Sequence, residues 1–194
     1  GLATKVSAGG TTSNSGFTCA IVASGAKCWG DNYYGQLGNG TTTSSSSPVN
    51  VTGLSSDVTD ITTGGAFSCA IVAGGAKCWG NNAFGQLGNS TTTSSSTPVN
   101  VTGLTSGVSS ISSGQYSACA VLTDGTIKCW GRNTNGQLGD GTTTNSSTPV
   151  AVLNITSGAT KVDISYQHAC AIVSGGAKCW GSNGYGQLGD STTV

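Results

Sequence analysis

The cysteine spacing divides this chain into four copies of one unit. The first cysteines of the copies lie about 50 residues apart, at Cys19, Cys69, Cys119 and Cys170. A second cysteine, a Trp-Gly pair and a Gly-Gln-Leu-Gly string then follow in the same order in every copy. A period near 50 residues with short apolar runs is typical of a propeller or a solenoid, not of independent domains.

Each copy offers four candidate strands. In the second copy they are Val58–Thr62, Phe67–Val72, Ala76–Trp79 and Val99–Val101. The second and third are joined by a short turn, which in the third copy contains Asp124-Gly125, a strong hairpin signal. The third and fourth are joined by the long stretch from Gly-Gln-Leu-Gly to the Ser/Thr tract. Four antiparallel strands per repeat are what a propeller blade needs, so the predicted fold is all-β.

The composition agrees with strands and excludes several classes of partner. The chain has 32 glycines, no methionine and no glutamate, so good helix formers are scarce. Its formal net charge of zero provides no basic surface for nucleic acid. No apolar run reaches the length of about 18 residues that a membrane-spanning helix needs. Clustered apolar residues, 36% of the chain, argue against disorder.

The string around each tryptophan resembles a known repeat. Every copy carries Trp-Gly-x-Asn-x-x-Gly-Gln-Leu-Gly, which in the first copy comprises Trp29, Gly30, Asn32 and residues 35–38. This pattern is similar to the repeat of the regulator of chromosome condensation family and covers nearly the whole chain. The resemblance implies β-propeller blades; that family usually forms seven-bladed rings and includes both nucleotide-exchange factors and secreted modules.

The chain departs from the family pattern at the first strand pair and at its end. The resemblance implies a histidine two residues before the first cysteine, but only His168 fits, and the other copies have Phe17, Phe67 and Ser117. The predicted repeat units are 1–52, 53–102, 103–153 and 154–194, the last incomplete. We interpret the chain, which begins without methionine, as a mature or excised piece of a longer propeller or array. Alternatives are two copies in an eight-bladed ring and an open stack.

The eight cysteines indicate disulfides in an oxidising compartment, so the predicted localisation is secreted or cell-surface. The eight or nine residues between paired cysteines exceed zinc-ligand spacing. A loop at 123–125 would place Cys119 opposite Cys129, and cross-strand cysteines about 5.5 Å apart can be bridged. The predicted hairpin bonds are Cys19–Cys28, Cys69–Cys78, Cys119–Cys129 and Cys170–Cys179. Reduced buried cysteines and bridges between blades are the alternatives.

Three residues of the repeated string are predicted to be structural. The tryptophans should pack between neighbouring blades, although exposed rings could instead stack on sugars. The glutamines should bond backbone groups of the turn, and the leucines should enter the core. These residues are Trp29, Gln36, Leu37, Trp79, Gln86, Leu87, Trp130, Gln137, Leu138, Trp180, Gln187 and Leu188.

One short loop varies between copies and is the candidate recognition element. The two residues before Gly-Gln-Leu-Gly read YY, AF, TN and GY. This variation identifies Tyr33, Tyr34, Phe84 and Tyr185 as candidate recognition residues. Six Asn-x-Ser/Thr sequons are candidate glycosylation sites, at Asn39, Asn50, Asn89, Asn100, Asn145 and Asn154.

No catalytic pattern recurs between the copies. There are no paired carboxylates at a recognisable spacing and no calcium loop, so we expect no enzyme activity, metal or cofactor. The predicted function is a non-enzymatic extracellular scaffold that binds a protein partner through propeller loops. Alternatives are a structural subunit of a fibre, coat or surface assembly, with self-association through open blade edges, and a carbohydrate-binding, lectin-like propeller.

Overall fold

The structure is all-β, which confirms the predicted fold class. The computed structural model describes residues 2–10 and 16–193. These residues include no helix long and apolar enough to span a lipid bilayer. Their strands are β1 (Ala3–Gly9), β2 (Phe17–Val22), β3 (Gly25–Gly30), β4 (Ser45–Asn50), β5 (Val58–Thr63), β6 (Phe67–Val72), β7 (Gly75–Gly80), β8 (Ser95–Asn100), β9 (Val108–Ser113), β10 (Ser117–Leu122), β11 (Ile127–Gly131), β12 (Ser146–Ala151), β13 (Ala159–Ile164), β14 (His168–Val173) and β15 (Gly176–Gly181).

The strands form four antiparallel sheets in chain order, here called blades 1 to 4. They are β1–β4, β5–β8, β9–β12 and β13–β15. The first strand of each blade contacts the first strand of the next, so these inner strands lie side by side. Blade 4 has three strands within the described residues, whereas the others have four.

The hairpin between the second and third strands sets the register of each blade. In blade 1 the two turn residues, Ala23 and Ser24, have φ values of 50° and 63°, as a type I′ turn requires. In blade 3 the turn is one residue longer, and Leu122 N donates to Thr126 O at 2.9 Å. The extra residue is therefore absorbed in the turn, and the cysteines face each other in all four blades.

The outer strand begins earlier than the sequence predicted. We expected Val99–Val101, but β8 spans Ser95–Asn100 and lies mostly within the Ser/Thr tract. No residue of β8 is more than half-buried, so the strand needs few apolar side chains. A bulge between Cys78 and Gly80 shifts the register. Val101 lies beyond the strand, where its N–H donates to Ala76 O at 3.0 Å.

The hydrophobic core lies between blades, not within one sheet. One cluster joins Phe17 and Ile21 of blade 1 to Ile61 and Trp79 of blade 2. Equivalent clusters join blade 2 to blade 3 and blade 3 to blade 4. Each blade therefore depends on a neighbour to bury its apolar face, as expected for a repeat array.

Candidate recognition face

A buried asparagine organises each long loop between the third and fourth strands. In blade 2, Asn82 Nδ2 donates to Thr91 O and Thr93 O, both at 3.0 Å, and Asn82 Oδ1 accepts from Leu87 N at 2.9 Å. The equivalent asparagines are also buried, at Asn32, Asn133 and Asn183. Sequence reasoning recorded this asparagine only as part of the motif. The asparagine recurs in all four copies although the residues beside it vary, and this recurrence is the signal that could have indicated its structural role.

The glutamine of the turn holds the variable residue pair. Its Oε1 accepts from the backbone N–H two residues earlier in all four copies, at 2.8–2.9 Å. The acceptor of its Nε2 group differs between copies. In blade 1, Gln36 Nε2 donates to the Asp31 carboxylate. In blade 3, Gln137 Nε2 donates to the Tyr166 carbonyl oxygen of blade 4. These glutamine bonds therefore hold the backbone of Tyr34 and Phe84 in place.

The tryptophans join each blade to the preceding one. Trp79 Nε1 donates to Gln36 O at 2.9 Å, and Trp130 and Trp180 make the equivalent bond to their own preceding turns. A Cβ added at Gly38 would lie 2.7 Å from Trp79 Nε1, and Gly38 has a φ of +69°. This position therefore requires glycine for both space and conformation. The tryptophan and the last glycine of the repeated string therefore form a joint between neighbouring blades.

The depth at which each leucine and tryptophan of the repeated string is buried depends on where its blade lies in the array. Leu37, Leu87 and Leu138 are fully buried, as are Trp79 and Trp130. The members at the ends of the array are half-buried, at Trp29, Trp180 and Leu188. The end residues lack one neighbouring blade or strand within the described chain.

The eight cysteines form four bonds, each between the second and third strands of one blade. They are Cys19–Cys28, Cys69–Cys78, Cys119–Cys129 and Cys170–Cys179, with Cα atoms 4.0–4.1 Å apart. The Cα atoms are closer than the 5.5 Å expected for a facing pair. Each bond closes a short hairpin loop, which should stabilise its blade by about 2–3 kcal/mol in the chain-entropy estimate.

The loops at one end of the blades form what we call the recognition face. It comprises the connections between the first and second strands and those between the third and fourth strands. Because the strands are antiparallel, both sets lie at the same end of each sheet. Backbone bonds such as Gly65 N to Gln115 O, at 3.1 Å, hold neighbouring loops together. In the described chain the face includes residues 31–44, 64–66, 81–94, 114–116, 132–145, 165–167 and 182–193.

An aromatic cluster with an arginine lies on the recognition face. Arg132 places its guanidinium carbon 5.7 Å from the ring centres of Phe84 and Tyr116 and 5.0 Å from that of Tyr166. Arg132 Nη1 also donates to the Tyr166 hydroxyl at 2.8 Å. Cation–π contacts of this kind contribute about 0.5–1 kcal/mol each at exposed sites. The cluster joins blades 2, 3 and 4.

The remaining aromatic rings of this face are open to solvent. Tyr33 and Tyr34 contact edge to face with centres 4.9 Å apart, and Tyr185 is 97% exposed. The structure places all four candidate recognition residues on one face. Only Phe84 belongs to the cluster. Sequence reasoning missed Tyr116, Tyr166 and Arg132, although the loop containing 115–116 and 166–167 also varies between copies.

The sequons occupy two kinds of position. Asn39 Oδ1 and Asn89 Oδ1 accept hydrogen bonds from a threonine hydroxyl of their own loops. Asn145 Oδ1 accepts from Asn133 N. Asn50 and Asn100 are exposed at the ends of outer strands, where they accept from lysine ammonium groups. Asn154 is exposed with a positive φ. Glycosylation at these sites stays a prediction.

Charged groups of the face do not assemble into a metal site. No three His, Cys or Asp side chains are grouped closely enough to hold an ion in the part of the chain that is described. Asp140 replaces the loop asparagine in blade 3 and accepts from Asn133 Nδ2 at 3.0 Å and from Thr142 N at 3.0 Å. Partial burial acts to raise the pKa of Asp140, but hydrogen bonds from Thr142 and Asn133 outweigh it, so the pKa is lowered.

Replacing Asp140 with asparagine should make the protein less sensitive to acid. A carboxyl group whose pKa is lower in the folded state stabilises that state above its unfolded pKa, and the benefit disappears as pH falls through the folded value. Urea unfolding of Asp140→Asn should therefore resemble wild type at pH 7 but retain more stability below about pH 4. The reciprocal Asn89→Asp variant should gain acid sensitivity. Equal acid sensitivity of wild type and Asp140→Asn would contradict this role.

Solved structures with this arrangement of blades show the same fold. Human WBSCR16 is 21% identical, with a TM-score of 0.76 over 86% of this chain and 45% of that one. Prp20p from Saccharomyces cerevisiae, described with its binding to Gsp1p and histones, is 19% identical, with a TM-score of 0.78 over 98% and 48%. The ectodomain of Physcomitrella patens receptor kinase CR4 is 18% identical, with a TM-score of 0.60 over 99% and 46%. The chain thus spans less than half the length of each.

Family models agree with the repeat pattern. The Regulator of chromosome condensation (RCC1) repeat matches residues 28–71, 77–121 and 124–172. A second model of the same repeat matches residues 108–137 and 159–187. No curated protein matches the sequence. Because the first model alone covers more than half of the residues, the chain belongs to the regulator of chromosome condensation (RCC1) repeat family.

Proposed function

We propose that the chain is a non-enzymatic extracellular scaffold that binds a protein partner through its recognition face. The observation that carries this proposal is the distribution of tyrosine and arginine. All five tyrosines and the single arginine of the chain lie in loops of this one face. Tyrosine and arginine are enriched among the residues that contribute most to protein–protein binding. A tyrosine ring offers large apolar area with few rotatable bonds, and its hydroxyl can still form a hydrogen bond.

The loops of the face are held in place before any partner arrives. The glutamine bonds to Tyr34 N and Phe84 N fix the backbone of the variable pair. Arg132 is stacked against three rings from two neighbouring blades and its own. Binding to a preorganised surface loses less conformational entropy, so more of the contact energy contributes to affinity.

The charge of the face favours protein over nucleic acid. Its loops carry Arg132 but also Asp31, Asp140 and Asp190. Backbone phosphates need clustered basic residues, which these loops do not offer. Protein binding is also a known use of the fold, since the yeast relative Prp20p binds Gsp1p and histones. The four disulfides support an oxidising, extracellular location, because such bonds are rare in the cytosol.

The proposal is tested by comparing capture by two matched triple variants. Tyr33→Ala/Tyr34→Ala/Tyr185→Ala removes exposed rings from the recognition face. Ser55→Ala/Thr105→Ala/Ser106→Ala changes exposed residues at the opposite end, beside the hairpin glycines Gly25 and Gly75. Immobilised proteins are incubated with the extracellular fluid of the source, and captured proteins are quantified by mass spectrometry. We expect at least one protein to be captured by wild type and control but reduced at least about tenfold by the aromatic variant.

Two results would contradict this assignment. If every captured protein bound the aromatic variant as well as wild type, the face would not be the binding site. If a glycan array gave hits that the aromatic variant loses, the tyrosines would be a carbohydrate site instead. Both experiments need the variants to unfold at the same urea concentration as wild type.

A further inference from the structure

Arg132 occupies a position whose backbone is held in place and whose side chain varies between blades. The residue before each buried asparagine is Asp31, Asn81, Arg132 or Ser182. In all four blades its N–H donates, at 2.9–3.0 Å, to a carbonyl oxygen in the loop between the first and second strands of the same blade. A substitution at this position therefore changes the surface of the recognition face while the backbone bond is kept.

In blades 1 and 2 this side chain stabilises its own turn. Asp31 and Asn81 each accept a hydrogen bond from Nε2 of the glutamine in the same turn, at 2.8 and 2.9 Å. Arginine has no acceptor atom, so it cannot take this role. In blade 3, Gln137 Nε2 donates instead to Tyr166 O at 3.1 Å. The turn of blade 3 therefore does not need the Arg132 side chain, which contacts the rings of the neighbouring blades.

Two hydrogen bonds and three rings hold the guanidinium group. Arg132 Nε donates to Thr134 Oγ1 at 3.0 Å, and Nη1 donates to the Tyr166 hydroxyl at 2.8 Å. The ring centres of Phe84, Tyr116 and Tyr166 lie 5.0–5.7 Å from the guanidinium carbon. The two bonds use two of the five N–H groups of the guanidinium, and the other three have no acceptor among the described residues. Arg132 thus presents oriented donors that are not used within the chain.

The positive charge of Arg132 is not balanced by a carboxylate of the described chain. The ion pair found within the described residues joins Lys5 to Asp60, in the inner strands of blades 1 and 2. Arg132 is half-buried, and the side chains that it contacts are neutral. A partner that covers this group would remove more of its hydration, which is costly unless the partner provides a negative charge.

We propose that Arg132 and the rings of Phe84, Tyr116 and Tyr166 form a carboxylate site, which binds an aspartate or glutamate side chain of the protein partner. This inference rests on the proposed function, because it names the chemistry of that partner. A guanidinium group binds a carboxylate through as many as two parallel N–H···O bonds. The rings offer apolar surface to the methylene groups of the acid and to apolar residues beside it.

The single charge of the site favours a carboxylate over a phosphate group. Recognition of phosphorylated peptides generally uses clusters of arginines. The described loops of the recognition face contain no lysine and no arginine besides Arg132. One guanidinium group matches the single charge of one acidic side chain, so the expected partner presents an isolated acid among apolar residues.

An NMR titration with a short peptide tests the inference. The probe is acetyl-Leu-Glu-Leu-amide, and the matched control peptide has glutamine in place of glutamate. Because the chain has a single arginine, its Nε–H group gives one signal in the spectrum of the isotope-labelled protein. We expect the probe to shift this signal saturably and the control peptide to bind at least about tenfold more weakly. Sodium chloride at the same ionic strength should give no saturable shift.

Two variants locate the bound probe. Arg132→Gln should weaken probe binding at least about tenfold, as followed by the backbone amide signals of Tyr116 and Thr134. Lys77→Gln removes the same charge from β7, outside the recognition face, and should leave probe binding unchanged. The absence of a saturable shift, equal affinity for the two peptides, or unchanged binding to Arg132→Gln would each overturn the inference. The comparison of the two peptides uses the wild-type protein, so it does not depend on the folding of a variant.

Capture of the partner separates this inference from the proposed function. Arg132→Glu should reduce capture at least about tenfold, whereas Lys77→Glu should not. If proteins that the triple tyrosine variant loses still bind Arg132→Glu as well as wild type, the recognition face binds a partner and the carboxylate site alone is wrong. If the wild type captures no protein, the proposed function fails, and the peptide titration still decides whether Arg132 binds a carboxylate.

Discussion

Replacing Asn82 with alanine should lower the free energy of unfolding by about 3–4 kcal/mol. This fully buried side chain accepts from Leu87 N and donates to Thr91 O and Thr93 O. Its removal leaves a buried N–H without a partner and frees two loop carbonyls, and each buried unsatisfied group costs about 1–3 kcal/mol. The measurement is urea unfolding followed by circular dichroism with the disulfides intact.

Two further variants separate hydrogen bonding from other effects. Asn82→Asp keeps the acceptor for Leu87 N but places a carboxylate against two carbonyl oxygens, so it should cost at least as much as alanine. Asn50→Ala removes an exposed asparagine with a single bond from Lys27 and should cost less than about 0.5 kcal/mol. If Asn82→Asp were as stable as wild type, the donated bonds would not stabilise the loop.

The parts of the fold that depend on local chemistry could be predicted from the sequence. Hairpin turns are set by two or three residues, so the strands flanking 73–74 were placed within about one residue. The outer strand was placed too late because its serines and threonines resemble a loop. The residues of a polar segment do not by themselves indicate that it will pair with the edge of a sheet.

The recognition face depends on geometry between blades, which the sequence does not contain. Phe84, Tyr116, Arg132 and Tyr166 have no common spacing, yet they meet because neighbouring blades bring successive loops together. The variation at 33–34 indicated one loop of each blade as a recognition element. The second loop, containing 115–116, was missed because it sits between strands that looked purely structural.

Replacing Trp79 with alanine should cost about 3–5 kcal/mol, the range found for large aromatic residues removed from a core. The side chain is fully buried between blades 1 and 2 and lies against Gly38 and Val51. The loss of stability comes from the cavity that the missing ring leaves between the blades. Equilibrium unfolding in urea measures this loss. Because each core lies between blades, the variant should also make unfolding less cooperative.

Trp79→Phe tests the indole hydrogen bond separately from packing. Gln36 O also accepts from Ser68 Oγ at 3.0 Å, so the carbonyl keeps a partner when the Trp79 bond is lost. The phenylalanine variant should therefore cost only about 1–2 kcal/mol, mostly from the smaller ring. A cost equal to that of alanine would mean that the Nε1 bond, and not burial, stabilises the joint.

Trp29→Ala is the matched control for the joint between blades. Trp29 occupies the equivalent position in its own sheet, where it faces Thr18 as Trp79 faces Ser68, but no blade precedes it in the described chain, and it is half-buried. If the tryptophan acts by joining a blade to the one before, Trp29→Ala should cost clearly less than Trp79→Ala. Equal costs would mean that the residue stabilises its own sheet. The joint between blades would then depend on the buried leucines and on Gly38.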